Sequence, residues 1–365
     1  DWSSEEKVWK LHIEGNEQVE DSRIQCNFLF MCSGYYDYES GYTPSFPNSE
    51  TFKGSIIHPQ KWDTSLDYTD KNVVIIGSGA TAVTLVPEMS KKARKVTMLQ
   101  RSPTYIMNLP REDKFANFFK KILPAKAAHH LARWKNILMS IFLYKMSRSR
   151  PDGMRKWIKG KAKEAIGERY NDADFDPKYN PWVERLCFVP DNDFFDAVRE
   201  KRVDVVTGTI QQFTPEGIQL DSGESLSADI IVSATGLILI PFGGMQVQKD
   251  GVTMDISQEH AYRGVMLSNT PNFAFAAGYT NASWTLKADL NCQFVTRILN
   301  HMDAKGASVC VPRFDPEIGS EVLIDLNSGY VERAKDILPK QGTKHPWKVH
   351  QNYIKDRHSL KYQTQ

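Results

Sequence analysis

"NVVIIGSGATAVTLVPEMSKKARKVTMLQRS", residues 72 to 102, decides the fold. Val73 to Ile76 is a short β-branched run of the kind that forms a strand buried on both faces. Gly77, Gly79 and Ala82 follow in the spacing G-x-G-x-x-A, then comes a helical stretch, then a second apolar strand from Lys95 to Leu99. Strand, glycine turn, helix and strand in that order make one βαβ unit, which calls for a parallel sheet. Each small residue has its own task. The first glycine permits the tight bend, the second lets backbone approach a pyrophosphate, and the small third residue lets helix pack on strand. The helix start offers free N–H groups and the positive end of its dipole to the anion. Gly77, Ser78, Gly79, Ala80, Thr81, Ala82 and Val83 are therefore the expected cradle for a dinucleotide.

The end of the second strand selects which dinucleotide. Units that bind NAD place a carboxylate there, on the ribose hydroxyls, whereas this chain has Gln100, Arg101 and Ser102. A carboxylate would repel a 2′-phosphate and a guanidinium can pair with it bidentately. The expected cofactor is NADPH, held by Arg101 and Ser102.

Outward from this unit the chain reads as more than one core, as 365 residues suggest. Lys7 to Glu14 and Arg23 to Cys32 read as a hairpin whose second strand closes on Ser33 and Gly34. Helical, basic and apolar segments fill about 111 to 180 as an insertion. Strands at Val203 to Val206, Ile210 to Phe213 and Gly217 to Leu220 read as a meander, and "ADIIVSATG" (228–236) returns as a buried strand. "PNFAFAAGY" (271–279) then feeds a long helix whose start is marked by Asn281 and Ser283.

Composition bounds the function. The net charge of +2 gives no general pull toward nucleic acid, but residues 113 to 169 hold fifteen Lys/Arg against four Asp/Glu, a local +11 that leaves the remainder at −9. With Trp134, Ile137, Leu138, Ile141, Phe142 and Leu143 in the same stretch, the insertion reads either as a cap with a solvated outer face or as a peripheral contact with an anionic bilayer. The five cysteines form no closely spaced pair and no metal-ligand spacing, so neither disulfides nor a metal site is expected, and the reading is cytoplasmic. The same lack of a cysteine pair counts against a dithiol-disulfide reductase. The longest nearly unbroken apolar run, Ile137 to Tyr144, falls far short of the roughly 20 residues of a membrane helix.

One further stretch, "FKGSIIHPQKWD" (52–63), precedes the glycine turn. Phe52, Gly54, His58, Trp62 and Asp63 match the fingerprint F-x-G-x-x-x-H-x-x-x-W-[P/D], in place and in spacing. By this motif, and by "GSGATAVTLVP", "TMLQRSPTYI", "YNPW", "RLC" and "GYTNASWTLKAD", the chain resembles the Baeyer–Villiger monooxygenases, class B flavoprotein enzymes. It is most similar to their actinobacterial branch with the ethionamide-activating enzyme. The resemblance implies an α/β, Rossmann-like fold with two dinucleotide-binding parts, a β-meander and a helical insertion. It implies FAD beside NADPH, and insertion of one oxygen of O2 into ketones, or oxygenation of sulfides or thioamides.

On that resemblance residues 1–34 are a remnant of the FAD-binding domain and 35–71 a linker bearing the fingerprint. Residues 72–236 are the NADPH-binding domain, and 237–365 return to the FAD domain and form the tail. Arg185 matches the family's active-site arginine, a fixed cation for developing negative charge. Gly34, Asn281, Ser283 and Trp284 fall where the family holds its flavin, and the fingerprint residues are conformational hinge positions. The family's own N-terminal glycine turn for FAD is not seen, so an N-terminal segment is expected to be missing. Two alternatives stay open: an N- or S-oxygenating flavin monooxygenase, and a non-catalytic NADPH-binding remnant.

Overall fold

The computed structural model describes residues 1–15, 20–184 and 186–363. The chain divides into two units: a first made of Asp1–Tyr38, Leu239–Asp325 and Tyr330–Gln365, and a second made of Glu39–Ile238 with Leu326–Gly329.

The second unit is built on a five-stranded parallel sheet in the order Val203–Thr207, Lys95–Gln100, Asn72–Ile76, Ile230–Ser233, Ser55–Ile57. Successive side chains of Asn72–Ile76 alternate between two cores, as the period of a strand requires. Val73 and Ile75 join Ala82, Val83 and Val86 of the helix Ala80–Met89. Val74 and Ile76 face Phe52, Phe213, Ile218 and Ile231. The strand order reverses between Asn72–Ile76 and Ile230–Ser233, which puts the ligand crevice of such a sheet beside Gly77. Residues 39–71, expected as linker, fold with this unit and give the sheet its edge strand Ser55–Ile57.

The meander departs from its expected form. Val203–Thr207 pairs in parallel with Lys95–Gln100, and the antiparallel sheet is Ile210–Thr214, Gly217–Leu220 and Ser225–Ser227. A strand goes to the partner that covers its apolar side, and Val203 is wholly buried in the core of the parallel sheet. The insertion forms the helices Lys114–Ile122, Ala125–Ser149, Pro151–Ile166 and Asp172–Phe175.

Asp113 caps the first of these helices. Its Oδ1 accepts the N–H groups of Phe115 and Ala116 at 3.0 and 3.1 Å, and its Oδ2 accepts from Lys135 Nζ at 2.6 Å. The Lys135 bond above all holds the carboxyl down at about 2. The folded value lies below the unfolded one, so this cap is complete above about pH 4 and is lost as pH falls toward 2. Amide exchange at Phe115 and Ala116 should accelerate across that window, and Asp113→Asn should remove the dependence.

In the first unit, a five-stranded sheet runs in the order Val252–Thr253, Gln248–Lys249, Trp2–Ser3, Val8–Ile13, Ser22–Cys26. A four-stranded sheet joins Ala261–Tyr262, Met266–Leu267, Phe273–Phe275 and Leu29–Met31. The expected strand Arg23 to Cys32 is thus two strands in two sheets: Ser22–Cys26 pairs with Val8–Ile13, and Leu29–Met31 lies parallel to Phe273–Phe275. Trp2, Trp9, Phe242 and Phe273 fill the core, and Trp9 Nε1 donates to the carbonyls of Pro271 and Asn272 at 3.1 Å. The long helix Trp284–Lys305 follows and stops at Gly306, whose φ of +62 suits a glycine C-cap.

Candidate functional site

At the glycine turn each position does what its residue type permits. Gly77 has φ +128, and a Cβ there would collide with the carbonyl oxygen of Ala234 on the neighbouring strand's end. Gly79 faces open space and caps the helix with no side-chain hydrogen bond, so the first N–H groups stay available to an anion. Ala82 is fully buried against the sheet. Ser78 Oγ donates to the carbonyl of Ser102 at 3.3 Å, which ties the turn to the end of the second strand. Two substitutions should separate fold from binding. Gly77→Ala is expected to cost at least about 2 kcal/mol of stability, from its backbone region and the clash. Gly79→Ala should leave the melting temperature unchanged and weaken dinucleotide binding about 10-fold, since its methyl group stands where phosphate approaches.

Arg101 and Ser102 emerge exposed from the strand Lys95–Gln100. The Arg101 guanidinium makes no ion pair with any described residue. Burial pushes the Glu184 carboxyl up, and Arg101 works against that shift. Gln100, at the acidic position of NAD-binding units, is buried and donates to the Asp174 carbonyl at 2.7 Å and Thr207 Oγ1 at 3.0 Å. It is a brace between sheet and insertion, and Arg101 is left as the group that faces solvent. Arg185, the expected catalytic residue, lies outside the described residues.

The fingerprint residues knit the second unit together. Phe52 meets Phe213 edge-on at 6.4 Å, and a Cβ on Gly54 would strike the Asp229 carbonyl. Trp62 packs on the core under the sheet, and exposed Asp63 accepts the Ser65 N–H and hydroxyl, bonds that draw its carboxyl below the usual range. His58 has the most particular setting. Its Nδ1 accepts the Gln60 N–H at 3.2 Å, which puts the ring hydrogen on Nε2, 3.2 Å from the Gly236 carbonyl. That carbonyl also takes the Tyr42 N–H at 3.0 Å. Gly41 lies flat on the imidazole, with no room for a side chain. His58 therefore clasps Gly41 and Gly236, the two places near which the chain enters and leaves this unit.

In the first unit, a pocket opens at the carboxyl ends of the parallel strands Leu29–Met31 and Phe273–Phe275, beside the N-terminus of Trp284–Lys305. Met31, Phe242, Phe275, Leu323 and Val349 make its walls apolar, and Thr280, Lys287 and Gln351 bring polar groups. Gly34, at φ +72, and Trp284 line it too. The Trp284 ring sits 4.7 Å from that of Tyr35 and presses on Gly278. Ser283 is the N-cap by position but makes no capping side-chain bond; its hydroxyl meets Thr285 Oγ1 at 2.9 Å. Asn281 does not cap the helix, whose N-cap position is Ser283; its Nδ2 instead donates to the Gln351 carbonyl at 3.0 Å. Sequence reasoning missed Lys287, Tyr279 and Asp356, which form a buried polar cluster at this pocket. The one available signal was a lysine in a helix's first turn, where the dipole disfavours a cation.

The family profile described as "Flavin-binding monooxygenase-like" matches residues 2–250. The chain belongs to the flavin-binding monooxygenase-like family. Relatives in it include the FAD-containing monooxygenase EthA of Mycobacterium tuberculosis, 48% identical over 98% of this chain and 73% of its own length. The probable FAD-binding monooxygenase AlmA of Acinetobacter baylyi is 46% identical over 97% and 72%. Among solved structures, an oxidized steroid monooxygenase bound to NADP superposes with a TM-score of 0.72 at 18% identity, covering 98% of this chain and 77% of that one. The open crystal structure of cyclohexanone monooxygenase gives 0.67 at 17% identity, covering 86% and 68%. These structural likenesses establish the two-dinucleotide flavoprotein fold.

Proposed function

We propose that this protein is an FAD-containing, NADPH-dependent monooxygenase that inserts one oxygen of O2 into a ketone to give an ester or lactone. Oxygenation of a sulfide or thioamide sulfur falls within the same chemistry. The observation that carries the reading is the open, uncapped helix start behind Gly77 with a guanidinium at the end of the next strand, Arg101, that forms no ion pair with a described residue. Phosphate on the helix N-terminus and 2′-phosphate on Arg101 together describe NADPH.

The first unit fits a flavin ring. The pocket lining is apolar and aromatic, and Lys287 is the one charged residue among the described residues of that lining, which suits a flat heteroaromatic ring with polar edges. Thr280 and Gln351 add polar contacts, and Gly34, Tyr35 and Trp284 supply the flat surfaces. When bound, FAD supplies two-electron reduction and activation of O2. The start of the helix Trp284–Lys305 directs its free N–H groups at negative charge, and the apolar walls exclude water. Arg185 would hold the negative charge that builds on the reacting oxygens. His58, Gly41 and Gly236 would set the stiffness of the passage between units, a positioning role. Full-length protein, carrying the expected N-terminal segment and given NADPH, air and a ketone panel, should yield esters or lactones. A colourless protein that still binds NADPH would instead identify a non-catalytic remnant.

We also infer a peripheral membrane contact. Phe115, Phe118 and Ile122 are exposed on the helix Lys114–Ile122, with Lys120 and Lys121 in its last turn, and Leu138 and Phe142 are exposed on the next helix. Apolar side chains in a basic surround complement an anionic leaflet. No helix among the described residues is long and apolar enough to cross a membrane. Phosphatidylserine vesicles should carry the protein down at low salt and release it at high salt; no binding at low salt overturns the inference.

A further inference from the structure

Lys287 occupies an unfavourable place. It lies in the first turn of Trp284–Lys305, where the helix dipole repels a cation, and its side chain is 1% exposed. Burying an ammonium costs more than a surface lysine could recover, and replacing a buried ion pair by apolar residues is often neutral for stability. Its compensation comes from the far end of the chain. Asp356, 5% exposed, receives Lys287 Nζ at 2.7 Å, and the Tyr279 hydroxyl donates to the same Oδ2 at 2.8 Å. Burial first, and then the Asp356 carboxylate, push the Tyr279 phenol far up, so it remains a donor. Asp356 is the one hydrogen-bond acceptor of Lys287 among the described residues.

The pair is oriented. Lys287 lines the pocket and Asp356 does not, so the positive end of the pair faces the cavity and the negative end lies behind it. That dipole adds to the helix dipole at the same spot. The segment bearing Asp356 is fastened there as well, since Gln351 Oε1 accepts the Thr280 N–H at 3.0 Å and the Gln351 carbonyl accepts from Asn281. A fixed cation at the floor of an apolar, aromatic-walled pocket selects a flat ligand that becomes negative there.

We propose that Lys287 sets the reduction potential of the pocket's ring, binding the reduced anion more tightly than the neutral oxidised form, with Asp356 and Tyr279 as its positioning residues. The inference rests on the flavin reading above. Hydride from the nicotinamide brings two electrons and one proton to the ring, leaving one negative charge on it and a positive charge on the oxidised nicotinamide; Lys287 exchanges no proton.

The test is equilibrium reduction of the flavin-loaded protein against a reference dye, which needs no turnover. Lys287→Met is expected to lose about 10-fold of the preference for reduced over oxidised flavin, a fall of about 30 mV for a two-electron couple. Lys287→Arg should stay near wild type. Because the single neutral variant strands Asp356, the double variant Lys287→Met with Asp356→Leu is the decisive one, and its potential should fall likewise. A loaded double variant with the wild-type potential, or an arginine variant that falls as far as methionine, overturns the assignment of Lys287 alone. Full-length wild-type protein that takes up no flavin overturns the flavin reading and this inference with it.

Discussion

Arg101→Ala is expected to weaken NADPH binding about 10- to 100-fold while NADH binding changes by no more than about a factor of two. A hydrogen bond to a charged group is worth about 1.5–3 kcal/mol, and the 2′-phosphate is the only part of NADPH that NADH lacks. Arg101 forms no ion pair with a described residue, and its charge is felt at the Glu184 carboxyl, where it works against the upward shift from burial. Arg101→Glu should go further and reverse the preference, because a carboxylate repels the phosphate and accepts ribose hydroxyls. Fluorescence titration with both dinucleotides at two salt concentrations measures this. Loss of both cofactors in equal measure would mean that Arg101 serves the shared part of the molecule, and the NADPH assignment would fail.

Asp356→Ala should be the most destabilising single change in the first unit. It removes the one acceptor that a buried ammonium has among the described residues, and breaking such a pair costs about 3–5 kcal/mol. Tyr279→Phe, which leaves the ion pair intact, should cost about 1 kcal/mol. Lys287→Met with Asp356→Leu is expected to melt within a few degrees of wild type, far above either single variant. Thermal or urea unfolding of wild type, Lys287→Met, Asp356→Leu and the double variant supplies the cycle, and an additive result would deny the coupling.

The central βαβ unit was legible because every requirement in it is local. Gly77 needs its φ and its lack of a Cβ, Ala82 needs its size, and each shows within a dozen residues of sequence. The strand Val203–Thr207 was placed wrongly for the opposite reason. Its neighbours in sequence resemble partners, but its apolar residues are covered by Lys95–Gln100, more than a hundred residues earlier. The first unit is harder still, since Trp2 pairs with Lys249 through strands of two residues that carry no period. His58 could be found by spacing alone, but the reason for it, the fit between Gly41 and Gly236, exists only after folding. Lys287 read as one more polar residue of a long helix. Its meaning depends on Asp356, 69 residues away.

The inserted helices bear on how far such proteins can be re-engineered. Ala162, Ile166 and Phe175 share one core with Val73, Ile75 and Val232 of the parallel sheet. A chimera that swapped residues 111–180 for a short loop would therefore strip this core of Ala162, Ile166 and Phe175 and open one face of the sheet to solvent. Recombination with a homologue has to transplant the inward helix faces together with the strands they cover, which leaves the outward faces as the portion free to diversify.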